Sequence, residues 1–288
     1  MNSPTPAAEF ARAADAEAIL ADVAKRLRRG EIVPYLGPGV GELAAPAAPM
    51  SAEALAAFFA TKVALPRRAK GNAWASAQHI ESTRHRATVT ALMAEAFATP
   101  VAPTPLHAHL AALAPPMIVD SWYDGAMRAA LFPQAGWGEV QGITRAGIGE
   151  DCWFRFYDAA GSEVGRDLAG QWTTLLYKPH GGVTPARNFL ITDADYVETL
   201  TEIDIQTPIP DAVKTRRTGR GFLFLGCRFN DQLLRIYARQ IGKRSSDNHY
   251  AVVDPDTLLP NELRFLVEQR VTPLAMPLSR AADIILAH

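Results

Sequence analysis

Gly221-Phe222-Leu223-Phe224-Leu225-Gly226 is the stretch that decides the fold. Its apolar continuity between two glycines suits a parallel β-strand covered on both faces, not a strand with one wet side. Cys227-Arg228-Phe229-Asn230-Asp231 then ends the strand and opens a helix through Ile241, capped by Asn230 or Asp231.

The same alternation runs outward in both directions. Downstream come a strand at Tyr250–Val253, a helix from Asn261 to Gln269 and a strand at Val271–Leu274. Near the start, Ile19, Leu20, Val23 and Leu27 recur at helical spacing until Gly30 stops the helix. Ile32-Val33-Pro34-Tyr35-Leu36 is the next strand, with one unpaired site at Pro34, and the turn Gly37-Pro38-Gly39-Val40-Gly41 follows at once. Pro46 and Pro49 force a loop up to Ser51, the N-cap of an alanine-rich helix through Val63. Residues 72–98 read as helices whose apolar face carries Ile80, Val89, Leu92, Met93 and Phe97, and Leu106–Leu113 is a shorter helix. Met117-Ile118-Val119 is a strand ending in Asp120-Ser121-Trp122-Tyr123-Asp124, followed by a helix through Leu131. After a glycine-rich, β-prone stretch, Thr173–Tyr177 is a strand running into Lys178-Pro179-His180-Gly181-Gly182, and Thr192 caps a further helix. The first ten residues read as frayed.

Strands alternating with helices predict an α/β fold: an open, mostly parallel Rossmann-like sheet flanked by helices. One domain over residues 1–288 is expected, with a helical region at 51–113 and a smaller β-rich insert at about 136–170. Ligands of such sheets bind at the carboxyl ends of the strands.

Twenty-nine basic against 30 acidic residues give no global field for nucleic acid or an anionic membrane. No apolar run approaches the roughly 20 residues of a membrane span, and the first residues lack a signal-peptide pattern. A cytoplasmic location is therefore expected, with neither membrane nor nucleic acid as partner. The two cysteines, Cys152 and Cys227, are too few for a disulfide framework or a cysteine-rich zinc site, so no zinc is expected.

Three segments carry candidate chemistry. Gly37 and Gly39 allow positive φ and let a phosphate approach backbone N–H groups. His180, beside glycines at a strand end, is a candidate general base, against a loop histidine bonded to a carbonyl. The backbone at Gly226 and Cys227, with Arg228, can meet a ribose or phosphate, against a plainly capped helix. His79, His85, His107 and His109 read as structural or surface residues, and Arg216, Arg217 and Arg220 as a solvated basic loop.

These segments together resemble the SIR2-like (sirtuin-related) NAD-binding domains, in the family's order and across most of the chain. Val33 to Val40 looks like the Gly-Ala-Gly motif with Pro38 at the alanine position, and Met117–Asp124 like the Thr-Thr-Asn-Tyr-Asp segment. Lys178-Pro179-His180-Gly181 is similar to the segment holding the family's catalytic histidine, and Leu223–Asp231 to the strand and turn of the adenosine side. The resemblance implies NAD or an ADP-ribose-like nucleotide held by Gly37, Pro38, Gly39, Val40, Trp122, Tyr123, Asp124, Gly226, Cys227 and Arg228, with His180 as base. Trp122 stands where the family has an asparagine, and an indole, with one donor and no acceptor, cannot do a carboxamide's work. Asp120 and Asp124 are the candidate substitutes. The missing cysteine module points to the zinc-free branch and lowers protein deacylation. The expectation is a nucleotide sensor or regulatory protein of impaired catalysis, with an active NAD glycohydrolase as the alternative; a protein partner and homo-oligomerisation stay open.

Overall fold

β1 (Ile32–Leu36) sits in the middle of the molecule with every residue buried, and alternation along it feeds two cores. The computed structural model describes residues 13–144, 152–202 and 209–288. Around β1 are ranged β2 (Met117–Asp120), β3 (Trp137–Gly142), β4 (Phe154–Asp158), β5 (Glu163–Val164) and β6 (Thr174–Lys178). β7 (Gly181–Gly182) and β8 (Asn188–Phe189) form a separate small hairpin, and β9 (Gly221–Leu225), β10 (His249–Val253) and β11 (Val271–Ala275) complete the main sheet. Its order is β11-β10-β9-β1-β2-β6-β3-β4-β5. Pairing is parallel from β11 through β3 and antiparallel for β4 and β5. The fold is thus α/β with a mostly parallel, Rossmann-like sheet.

Period-two alternation assigns each strand's side chains to opposite faces. Val33, Tyr35, Phe222 and Phe224 join one core with α3 (Ala52–Lys62), α4 (Ala73–Arg84), α5 (Arg86–Ala96), α8 (Asp193–Glu202), α9 (Asp211–Arg217), α10 (Gln232–Gly242) and α11 (Pro260–Glu268). Ile32, Leu36, Leu223 and Leu225 join the other, with α1 (Ala13–Arg28), α6 (Pro105–Leu113), α7 (Ala126–Leu131) and α12 (Leu278–Leu286). Each large apolar side chain so covered contributes about 1.5–3 kcal/mol. Pro34 is accommodated in a central strand because the ladder from β1 to β2 begins only at Tyr35 opposite Val119.

Several elements depart from expectation. The segment read as a β-rich insert extends the main sheet: β3 pairs with β6 and carries β4 and β5 to the edge. Residues 145–151 of that segment, and the residues read as frayed, lie outside the described ones. The basic run is not a solvated loop. Arg216 donates to the carbonyls of Pro116, Ala169, Trp172 and Thr173, buried Arg217 to those of Gln240 and Ile241, and Arg220 to that of Gly30.

The glycine turn is set by close approach, not by left-handed backbone. Gly37 has φ −103°, and Pro38 starts a short helix, α2 (Pro38–Glu42). A Cβ on Gly37 would stand 2.4 Å from the Gly226 carbonyl oxygen, and one on Gly39 2.9 Å from the Gly226 Cα. Gly226 does adopt φ +63°, and its own Cβ would meet the Val40 nitrogen at 2.5 Å. Gly226→Ala is therefore expected to cost at least about 2 kcal/mol from overpacking plus left-handed strain. Gly165→Ala, with φ −69° and nothing within 4 Å of a Cβ, should stay within about 0.5 kcal/mol. Urea midpoints of the two variants compare them directly.

Candidate functional site

β1 leads to β2 on one side, and β9 leads to β10 on the other, so the β1–β9 boundary is the sheet's topological switch point. A crevice of about 550 Å³ opens there, walled by Pro38, Gly39, Gly226, Cys227 and Arg228, with Glu53 and Asp254 across it. Gly37 and Val40 do not line it.

The phosphate reading of the glycine amides fails on hydrogen bonding. Gly37 N–H donates to the Leu225 carbonyl at 2.9 Å, Gly39 N–H to that of Gly226 at 3.0 Å, and Val40 N–H to that of Gly37. The amides of Cys227 and Arg228, which line the crevice, have no hydrogen-bond partner among the described residues. The Arg228 guanidinium is pinned by Glu262, at 3.1 and 3.0 Å, and also donates to the Thr257 carbonyl. Glu262 in turn accepts from the amides of Phe229 and Leu259, and these bonds hold its carboxyl below its usual range despite burial. Glu42, Glu53 and Asp254 make the remaining wall acidic, suited to ribose hydroxyls. Asp254 and Glu53 were missed from the sequence; an acid just past the end of β10 was the available signal.

Behind the crevice lies a slot of about 40 Å³, bounded by Tyr35, Ser121, Trp122 and Cys227. That is room for roughly one water molecule. Trp122 is 3% exposed; its indole N–H donates to the Pro49 carbonyl at 2.9 Å, and its ring packs on Tyr123 and Phe97. The Glu53–Asn230 hydrogen bond, 3.0 Å, ties α3 to the β9–α10 turn beside it.

His180 lines neither space. It is 1% exposed, between the rings of Tyr237 and Tyr196 at 4.6 and 5.6 Å. Its Nδ1 is 3.0 Å from the Tyr196 hydroxyl, and its Nε2 is buried without a partner. The Tyr196 hydroxyl also reaches the Leu190 carbonyl, at 3.1 Å. If it donates there, Nδ1 carries the imidazole proton and Nε2 keeps a bare lone pair, a cheaper arrangement than an orphaned buried N–H. Burial, then the nearby Lys178, pull the imidazole down to about 3, so it is neutral.

Asp120 and Asp124, the candidate substitutes for the family asparagine, are committed elsewhere. Asp120 accepts from Lys178 Nζ at 2.6 Å and from the Trp122 amide at 3.1 Å. Burial pushes it up to about 6 against the pull of Lys178. The Lys178 ammonium is drawn down by its burial but held higher by Asp120, Asp124 and Glu139, which outweigh it. Asp124 caps α7 through the Ala126 amide and faces a different cleft. Tyr123 is structural: its hydroxyl donates to the Leu190 carbonyl at 2.7 Å.

Residues 116–274, more than half of the chain, match the family model of the SIR2-like domain. The chain belongs to the SIR2-like family. A search of curated proteins finds no match. SIR2-like domains generally bind NAD, and the crevice fits the adenosine part of such a nucleotide in size and in its free amides. The slot at Trp122 does not fit a further ring, and His180 stands outside both. Cys152 and Cys227 are free thiols, and among the described residues no three His, Cys, Asp or Glu side chains converge as metal ligands. No helix among them is long and apolar enough to cross a membrane.

The buried histidines set the acid limb of stability. His107, held by Thr104 at the start of α6, is drawn down to about 4 by burial, with Asp124 opposing. His107 and His180, the most strongly depressed histidines, stay neutral in the fold while the unfolded chain takes up protons near pH 6.5, so each loses stability as pH falls below that. Asp120, raised, works in the opposite direction between about pH 6 and 4. From these three groups alone, two protons against one leave a net loss of roughly 2–3 kcal/mol between pH 7 and pH 5. Thermal melts across that range should show it, and His180→Phe should remove most of the slope, because one histidine proton then stands against the one of Asp120.

Proposed function

We propose that this SIR2-like protein binds an adenine nucleotide, NAD or ADP-ribose, at the β1–β9 crevice, acts as a sensor or regulatory protein, and does not turn NAD over in this conformation. The observation that carries this reading is the separation of His180 from the crevice: the ring is buried among tyrosines, while Trp122 closes the inner slot with its indole tied to Pro49. NAD, when bound, would bring a nicotinamide–ribose bond whose cleavage builds positive charge on the sugar and needs a positioned base. This chain's residues bind and orient at the adenosine end through the Cys227 and Arg228 amides. At the other end Trp122 closes the slot.

The second reading, an active NAD glycohydrolase, is supported by the bare Nε2 of His180, a lone pair that costs the fold an unsatisfied buried atom. Movement of Trp122 off Pro49 would be required to use it. Deacylation of proteins has no feature of the site in its favour.

ADP-ribose at about a hundred times its Kd should stabilise the protein by roughly 2.7 kcal/mol in a thermal-shift experiment. No stabilisation by ADP-ribose, NAD or AMP would remove the binding reading. Wild type is expected to release no nicotinamide from NAD, and Trp122→Asn to begin releasing it. Release by wild type that disappears in His180→Ala would instead establish the glycohydrolase.

A further inference from the structure

A cleft larger than the β1–β9 crevice lies elsewhere among the described residues. A space of about 740 Å³ lies between the end of α5, α7 and the β7–β8 hairpin. Its walls are apolar, chiefly Phe97, Val101, Val183, Pro185 and Phe132, the last 72% exposed. Volume and lining are those of a small-molecule site, which usually adds a few fixed polar groups.

The fixed polar group here is Asp124. Its Oδ1 accepts from the Ala126 amide at 2.8 Å, while Oδ2 has no hydrogen-bond partner among the described residues and is not sealed from solvent. The charges beneath the cleft balance without it. Arg128 pairs with Glu139, and Lys178 pairs with Asp120 at 2.6 Å. Lys178 gives a further hydrogen bond to the Asp124 backbone carbonyl, not to its carboxylate. Three carboxylates thus face two cations, and Asp124, 5% exposed, has no ion-pair partner among the described residues. Lys178 acts on it electrostatically without forming an ion pair, so a buried carboxylate in that position still gains from a cation that reaches it. Arg187, exposed on the β7–β8 turn, also lines the mouth, where a carboxylate can meet it.

We propose that this cleft binds a small apolar molecule carrying an ammonium group, an apolar amine or α-amino acid, with the ammonium on Asp124 and the apolar body against Phe97, Val101 and Phe132. The Trp122–Tyr123 segment separates it from the nucleotide crevice, so the two sites fill independently, and the proposal does not depend on the nucleotide reading.

Phenethylamine, L-phenylalanine and hydrocinnamate share an aromatic body and differ in their charged groups. Titrated into the full chain by calorimetry or ligand-observed NMR, the first two should bind and hydrocinnamate should not. Asp124→Asn retains an oxygen for the α7 cap and should weaken phenethylamine at least tenfold. Phe132→Ser, at an exposed position that leaves the fold intact, should weaken it at least threefold and serves if the first variant is unstable. Saturating ADP-ribose should leave phenethylamine affinity unchanged. Hydrocinnamate binding as well as the amine, unchanged affinity in either variant, competition by ADP-ribose, or no binding of either amine at about 10 mM would each overturn the proposal.

Discussion

Three glycines pressed backbone to backbone hold the centre of this molecule. Gly37 and Gly39 approach Gly226 so closely that no side chain fits at any of the three, and their amides bond directly to the carbonyls that close β9. The contact locks the turn after β1 onto the turn after β9 at the point where the sheet changes direction. It also determines what the crevice offers. Donors that a glycine-rich turn would present to a phosphate are consumed inside the protein, and polar recognition passes to Cys227 and Arg228. Glu262 fixes that second turn by gathering Arg228, Phe229 and Leu259, so α11 becomes part of the wall.

A second organising element is the buried polar cluster at the carboxyl ends of β2, β3 and β6. Lys178, Asp120, Glu139, Gln141 and Arg128 satisfy one another there, and Asn188 and Tyr157 extend the network. Ion pairs of this kind are weak evidence for stability, since desolvation offsets most of their attraction. Their evident effect is positional: they hold the Asp120–Asp124 segment as a partition with one cleft on either side. His180 belongs to neither cleft. It is part of an aromatic core with Tyr196 and Tyr237, and its pull toward neutrality follows from that burial.

The parallel strands were legible because apolar continuity is a local property: β1, β2, β6, β9 and β10 lie within a residue or two of where the pattern places them. β3 was not marked as a separate strand, since Glu139 and Gln141 sit in its interior and become tolerable only through Arg128 and Asn188. α9 is mostly polar, with Val213 its main apolar anchor, and α12 buries chiefly small residues and isoleucines against α1. Neither signals strongly on its own. At the candidate site, the spent amides of the glycine turn were illegible, because the backbone that crowds it arrives from nearly 190 residues further on. The fate of Asp124 was illegible for the same cause: its free oxygen and missing counter-ion depend on where Lys178 and Arg128 finally point.

Arg216 carries a consequence for how the chain reaches this state. Its guanidinium collects carbonyls from the entry to β2 and from the residues just before β6, between 43 and 100 positions away in sequence. Such a clasp gains nothing until both segments have docked, and its loop-closure entropy is met only by contacts that form first. Arg216 is therefore a latecomer in folding. Its loss should accelerate unfolding while leaving the refolding rate nearly untouched.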